Sequence, residues 1–276
     1  MDVKHHPVFT RFTPWAGDVE AGFSVNFLGI KTRSTFWSQI PPTTTVEYTR
    51  TTYPAFDEEY FEWIDLLESV IHSGGHYTMI ELGAGWGRWM AAAFGALRIL
   101  APEKPYTFIG VEAEPDHYRY MREHFEDNGI DLTRCQLIEA AVSGQNGAVR
   151  FHTGRPDEWY GQSIGGTTLV RSITLRSLLD PLNRVDLIDL DVQGAEYMVL
   201  SAAAKEVNEK VNRVHIGTHS PQVEAGLRAG FTRMGWTKRY DFPMRSTVET
   251  EYGTISFQDG VQSWINPRFG ATSLAC

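Results

Sequence analysis

The sequence predicts an α/β protein: a doubly wound, mostly parallel sheet with an antiparallel strand near its C-terminal end, preceded by an N-terminal extension. Three observations carry that expectation. From Tyr77 to about Ser220, short apolar runs alternate with helical stretches, the pattern of parallel strands joined by crossover helices. The first apolar run ends in a glycine turn, Glu81 to Gly87, that opens a helix. The second run ends in an acid, Glu112, and Pro115 starts the next helix three residues later.

The composition is that of a globular enzyme, with 42% hydrophobic, 21% charged and 12% aromatic residues in 276. That length is enough for one large domain or two small ones. The longest apolar stretch, Met90 to Ala101, is interrupted by Arg98 and is too short to span a bilayer, so no membrane span is expected. The first residues lack the apolar segment and small-residue cleavage site of a signal peptide, which places the expected location in the cytoplasm. Two cysteines, Cys135 and Cys276, make no disulfide framework and no C-x-x-C pair. With Lys+Arg 25 against Asp+Glu 34, the net charge is -9 and no basic run follows a phosphate backbone, so nucleic acid is not an expected partner.

Residues 1 to 75 form the extension, and residues 76 to 276 the main domain. Thirteen of the 34 aromatics lie between Phe9 and Trp63, so the extension either packs on the main domain or forms a lid over a pocket. Within it, Phe56 to Ile71 places Phe56, Tyr60, Trp63, Ile64, Leu67 and Ile71 at helical spacing with acids between them, an amphipathic helix that Gly74 and Gly75 end. Strands are expected at Tyr77 to Leu82, Thr107 to Glu112, Gln136 to Val142, Val185 to Asp191 and Arg213 to Thr218, with helices starting near Trp86, Pro115 and Gly194. A helix around Gln222 to Met234 leads to two β-rich stretches, Trp236 to Phe242 and Thr254 to Ile265, expected to be antiparallel. Asp259 and Gly260 read as the turn of a hairpin between FQDG and SWINP.

The chemistry concentrates at the strand ends. Gly83 and Gly85 let the backbone turn sharply and approach a ligand, and the helix beyond Gly87 offers free N–H groups. The spacing is G-x-G-x-G: counted from Gly83, the sixth position is Arg88, so the dinucleotide fingerprint G-x-G-x-x-G is not met. Glu81 is placed to hold an ammonium group, which favours a cofactor with an amino-acid tail. Glu112 is placed to accept two ribose hydroxyls, with Glu114 as its competitor beyond the strand end. Asp189 and Asp191, two apart on a strand, leave the same face; side by side, they raise one another's pKa or recruit a cation. His215, Gly217 and His219 share a face of the next strand, and His219 reaches Asp191 if the two strands are neighbours. Trp86, Trp159 and Tyr160 either pack or stack on a ligand.

The pattern E-x-G-x-G-x-G, then an acid with proline three residues on, resembles the S-adenosylmethionine-dependent methyltransferases of the doubly wound, Rossmann-like, seven-stranded type. AAVSGQNGAVRF (Ala140 to Phe151), ITLRSLL (Ile173 to Leu179) and LIDLDVQGAEYMVL (Leu187 to Leu200) are similar to the FkbM methyltransferase family, over roughly Tyr77 to His219. That family methylates mainly oxygens of sugars and secondary metabolites. The resemblance implies S-adenosyl-L-methionine as cofactor, in contact with Glu81, Gly83, Ala84, Gly85, Gly87, Glu112, Ala113, Glu139, Ala140 and Asp191. Where the family reads K-x-D-x-E-G-x-E, this chain keeps Asp191, Gly194 and Glu196 but has Asp189 for the lysine and Gln193 for a glutamate.

The expected reaction is methyl transfer to a hydroxyl oxygen of a small-molecule acceptor, with His219 or Asp191 as general base. A divalent cation, Mg2+, held by Asp189, Asp191 and His219 is the alternative way to lower the hydroxyl pKa. An N-methyltransferase, a non-catalytic cofactor-binding module and a NAD-dependent oxidoreductase are the competing readings. A homo-oligomer is compatible with all of them.

Overall fold

The computed structural model describes residues 4–40, 43–154 and 162–269; Trp159, Tyr160 and Cys276 lie outside the described residues. Seven strands make the central sheet: β1 (Tyr77–Leu82), β2 (Tyr106–Glu112), β3 (Cys135–Glu139), β4 (Leu187–Leu190), β5 (Arg213–Thr218), β6 (Thr237–Phe242) and β7 (Gly260–Ile265). Their order is β3-β2-β1-β4-β5-β7-β6. Every pairing from β3 to β5 is parallel, and β7 runs antiparallel to both β5 and β6. The order reverses beside β1, so a crevice opens where the chain leaves β1 and β4 in opposite directions, the position at which open α/β sheets bind ligands.

Helices cover both faces. On one side lie α1 (Tyr60–His72), α2 (Arg88–Leu100) and α3 (Pro115–Asp127); on the other lie α4 (Leu175–Leu179), α5 (Glu196–Ala202), α6 (Ala204–Lys210) and α7 (Pro221–Arg233). Strand alternation divides the core accordingly. Met79 and Leu187 pack with α1 and α2, whereas Ile80, Leu82, Ile188, Leu190, Val214 and Ile216 pack with α4 to α7. The extension shares the first core: Phe9, Phe27, Tyr60, Trp63 and Trp89 form one aromatic cluster with Tyr252. Further along it, Arg33 pairs with Asp127 and Glu123 on α3, and Phe36 stacks on Tyr120, which fixes Trp37 beside the crevice. Among the described residues, no helix is long and apolar enough to cross a membrane.

Several sequence expectations are corrected. The third strand does not run from Gln136 to Val142: β3 ends at Glu139, and Ala141–Val142 joins a separate three-stranded sheet with Gly147–Phe151 and Thr168–Ile173. The stretch Thr254 to Ile265 is likewise two strands. Gly253–Phe257 pairs with Ser246–Thr250, and only β7 enters the main sheet. Asp259 and Gly260 therefore do not turn a hairpin, because the strands on either side of them pair with different partners. Helix α1 starts at Tyr60, and the acids between its apolar residues do not face water: Asp65 is fully buried and Glu68 nearly so. Both meet the sheet, where Arg213 donates to Asp65 (2.5 Å) and Glu68 (2.8 Å), and Arg239 donates to Glu68 (2.7 Å). A buried charge is kept only with such partners.

Candidate functional site

The glycine turn is built as its residue types require. Gly83, Gly85 and Gly87 all have positive φ, at 76°, 54° and 67°. A Cβ on Gly83 would stand 1.8 Å from the carbonyl oxygen of Asp191, so the turn can press against the end of β4 only because that side chain is missing. Gly87, the N-cap of α2, leaves no room for a Cβ against Phe125 (2.6 Å) and lines neither of the two clefts described below; it seats α2 on α3.

Two clefts open along the crevice. The first, of about 580 Å³, has Gly83, Gly85, Glu112, Ala113 and Ala140 in its wall and Phe151 and Ile164 opposite. The second, of about 1040 Å³, lies over the α1 side of the sheet and is bounded by Trp37, Trp86 and Trp89. Gly83, Asp191 and Gln193 line both, so the two clefts meet at that point.

Glu112 stands where the sequence places it. Its Oε2 accepts the Gly85 N–H and its Oε1 the Glu114 N–H, both at 2.7 Å, which aims the carboxylate across the first cleft with lone pairs to spare. Burial pushes its pKa up. Glu114, its competitor, instead caps α3 by accepting the His117 N–H. Ala113 and Ala140 line the first cleft and Ala84 the second, whereas Glu139 lines neither. Phe151 and Ile164, in and beside the small three-stranded sheet, were not named as site residues from the sequence; their place depends on the pairing of Gly147–Phe151 with Thr168–Ile173, which the stretch Ala140 to Phe151 does not by itself specify.

The floor of the second cleft is a row of ionisable groups. Glu81, Asp189 and His215 sit side by side in register on β1, β4 and β5, all on the α1 face. Glu81 and Asp189 are 3% and 5% exposed. Glu81 accepts the Met90 N–H (2.8 Å) and faces the Trp89 N–H (3.4 Å), so it supplies the α2 N-terminus with the cap that Gly87 cannot. Asp189 has a hydrogen bond with Glu62 of α1, and its Oδ1 has no partner. Burial and the neighbouring carboxylates push Glu62 and Glu81 well above the usual range; burial likewise takes Asp189 up to about 6. His215 is spent on Asp65, with Nδ1 to Oδ2 at 2.8 Å. Seven lining residues carry carboxylates, against two bases, Arg88 and His215.

Because β4 and β5 are neighbours, His219 and Asp191 come together, Nε2 to Oδ1 at 3.3 Å. His219 Nδ1 also binds Glu196 Oε1 at 2.8 Å. Burial lowers the imidazole pKa, but the bond to Glu196 and the charges of Asp191 and Asp259 outweigh it and raise it to about 9. That setting favours the imidazolium at neutral pH and weighs against His219, and towards Asp191, as the general base. The Asp191 side chain is about half exposed; its pKa is raised by partial desolvation in the cleft, with Glu196 and Asp259 adding to the rise, and it accepts from Gln193 Nε2 at 2.9 Å. The candidate metal set is corrected too: Asp191, Glu196 and His219 offer ligand atoms within 4.8 Å of one another, and Asp189 belongs to the Glu62 and Glu81 group instead. The His219 proton already offsets one of these carboxylate charges and would have to leave for the imidazole to bind a cation.

The family model of the methyltransferase FkbM domain matches residues 83–242. A protein of Jannaschia sp. (strain CCS1), named "Putative methyltransferase", is 27% identical over 252 residues, covering 84% of this chain and 88% of that one. Among solved structures, methyltransferase FkbM from Methylobacillus flagellatus KT aligns with a TM-score of 0.47 at 11% identity, over 76% of this chain and 55% of that one. The precorrin-6y C5,15-methyltransferase of Geobacter metallireducens GS-15 aligns with a TM-score of 0.42 at 14% identity, over 76% and 89%.

Proposed function

Because the chain belongs to the FkbM methyltransferase family, we propose that it moves a methyl group from S-adenosyl-L-methionine to a hydroxyl oxygen of a small molecule, such as a sugar or secondary metabolite. The observation that carries this reading is the junction of the two clefts at Gly83 and Asp191. A cofactor lying in the first cleft brings its reactive end to that junction, and an acceptor in the second cleft meets it there.

The residues present suit the cofactor. Glu112 offers a buried carboxylate to two vicinal hydroxyls, Ala113, Ala140 and Phe151 offer apolar walls, and the bare Gly83 backbone offers close approach. Bound there, the sulfonium supplies a methyl carbon already open to attack, and the carbon–sulfur bond breaks as the oxygen–carbon bond forms. The protein's share is alignment and exclusion of water. Trp37 of the extension and Trp86 of the glycine turn wall the acceptor cleft, so the extension closes it on that side. Trp faces and carboxylates are groups that suit a hydroxylated acceptor.

Asp191 takes the hydroxyl proton. It stands at the junction, is oriented by Gln193, and its raised pKa makes it a better proton acceptor than an ordinary carboxylate. The imidazolium of His219 holds Asp191 in place and does not itself accept the proton. Mg2+ is not needed in this scheme.

The test is transfer of labelled methyl from S-adenosylmethionine to a panel of sugars and hydroxylated metabolites, with the product's methylated atom located by NMR. Asp191→Asn is expected to cost about 10²- to 10⁴-fold in turnover, with affinity for S-adenosylhomocysteine retained. Methyl found on nitrogen alone overturns the hydroxyl reading, and undiminished turnover in the variant removes Asp191 as the base.

A further inference from the structure

We propose that the acceptor carries a protonated amine, which Glu62 and Asp189 hold at the floor of the second cleft; this rests on the methyltransferase reading above and names its substrate class more narrowly.

Most charges around the second cleft already have partners. Arg88 gives both terminal nitrogens to Glu59, at 2.6 and 2.5 Å. His215 is taken by Asp65, and Glu81 by the N-terminus of α2. Glu62 and Asp189 lie against each other, and the bases near them, Arg88 and His215, give their hydrogen bonds to Glu59 and Asp65 instead. Such a pair is stable only when protonated or when a cation lies beside it.

The second observation is independent of charge. Asp189 is 5% exposed and lines the cleft, yet its Oδ1 has no hydrogen-bond partner. A buried acceptor left open in this way calls for a donor from outside the chain. A hydroxyl would satisfy the atom but leave the charge. An ammonium brings three donors and one positive charge, enough to reach Asp189 and Glu62 together.

Aromatic rings complete the setting, since Trp37 and Trp86 line the same cleft and the face of an indole attracts cations. The cofactor does not account for the whole excess. Its sulfonium and ammonium against one carboxylate bring a single net positive charge to the first cleft and the junction; in the second cleft Glu59 has Arg88, Glu81 the α2 N-terminus and Asp191 the His219 imidazolium, which leaves Glu62 and Asp189 unmatched. The amine is therefore assigned to the acceptor, as in an amino sugar or an amino alcohol.

The experiment uses the full chain saturated with S-adenosylhomocysteine, titrated by calorimetry with matched pairs that differ in one group: D-glucosamine against D-glucose, and 2-aminocyclohexanol against 1,2-cyclohexanediol. The amine of each pair is expected to bind about tenfold or more tightly. Its binding should weaken as salt is added, while that of the neutral partner stays level. Glu62→Gln and Asp189→Asn should each remove most of the preference while S-adenosylhomocysteine still binds, which also reports that the variants are folded. Neutral members binding as well as the amines, no amine binding at millimolar concentration, or a preference indifferent to salt overturns the proposal. Failure of the wild-type chain to bind S-adenosylhomocysteine is a separate result, and it counts against the methyltransferase reading instead.

Discussion

Asp189 stands directly opposite Glu81 across the β4–β1 pairing, so the middle of a parallel sheet carries two nearly inaccessible carboxylates on one face. Neither has a basic side chain of its own; Glu81 is met by helix N–H groups, and Asp189 by Glu62. This arrangement costs stability and is retained at the floor of a cleft, which is where strained electrostatics belongs in an enzyme.

Removing one of these charges should stabilise the protein. Burial raises the Asp189 pKa from 3.8 to about 6, so ionised Asp189 favours the unfolded chain, and the penalty grows as pH rises from about 4 to about 6. Asp189→Asn is expected to unfold later than the wild type at pH 7, by about 1–3 kcal/mol, with the difference shrinking towards pH 4. Thermal unfolding of both proteins at the two pH values checks it. A lower melting temperature for the variant at pH 7 would show that Asp189 has a favourable partner.

Gly83→Ala should abolish cofactor binding. The new methyl group would fall on the Asp191 carbonyl oxygen, and the backbone there has φ +76°. The loop must move off β4, opening the junction of the two clefts. Gly75→Ala is the control, because a Cβ there has nothing within 4 Å. Titration with S-adenosylhomocysteine should show binding for the control and a loss of about 100-fold or more for Gly83→Ala, about 2.7 kcal/mol.

His219 should stabilise the fold in acid and neutral solution and cease to do so in alkali. Its pKa in the folded chain is about 9 against 6.5 for the free side chain, so the contribution is complete below pH 6.5 and is lost as pH rises through 9. Denaturant unfolding of the wild type and His219→Gln is expected to show a gap that narrows by up to about 3 kcal/mol between about pH 6 and about pH 10. A gap independent of pH would mean that Glu196 and Asp191 do not hold the imidazolium.

The parts of this site that were legible in the sequence are those fixed by local backbone chemistry. Gly83, Gly85 and Glu112 announce themselves because a strand, a left-handed turn and a helix start must follow within a few residues. Helix α1 shows the opposite case. Glu62, Asp65 and Glu68 recur at three-residue spacing and read as a wet face, but their partners Asp189, Arg213 and Arg239 lie far down the chain. Apolar residues on every other side of α1 were the available signal, since a helix buried all round has no wet face on which acids could sit. The break at Ala140 and the exchange of partners at Asp259 and Gly260 were illegible for a related reason: each stretch keeps its strand-like composition while the pairing changes. The role of His219 likewise turned on Glu196, whose side chain reaches it only after α5 is placed.

The most direct test is calorimetric titration of the chain with S-adenosylhomocysteine, alongside Glu112→Ala. The expected result is a dissociation constant in the micromolar range, about -8 kcal/mol, and loss of most of that binding in the variant, whose first cleft lacks the carboxylate that grips Gly85. No binding by the folded wild-type chain, or equal binding by Glu112→Ala, would contradict the assignment of the first cleft to the cofactor.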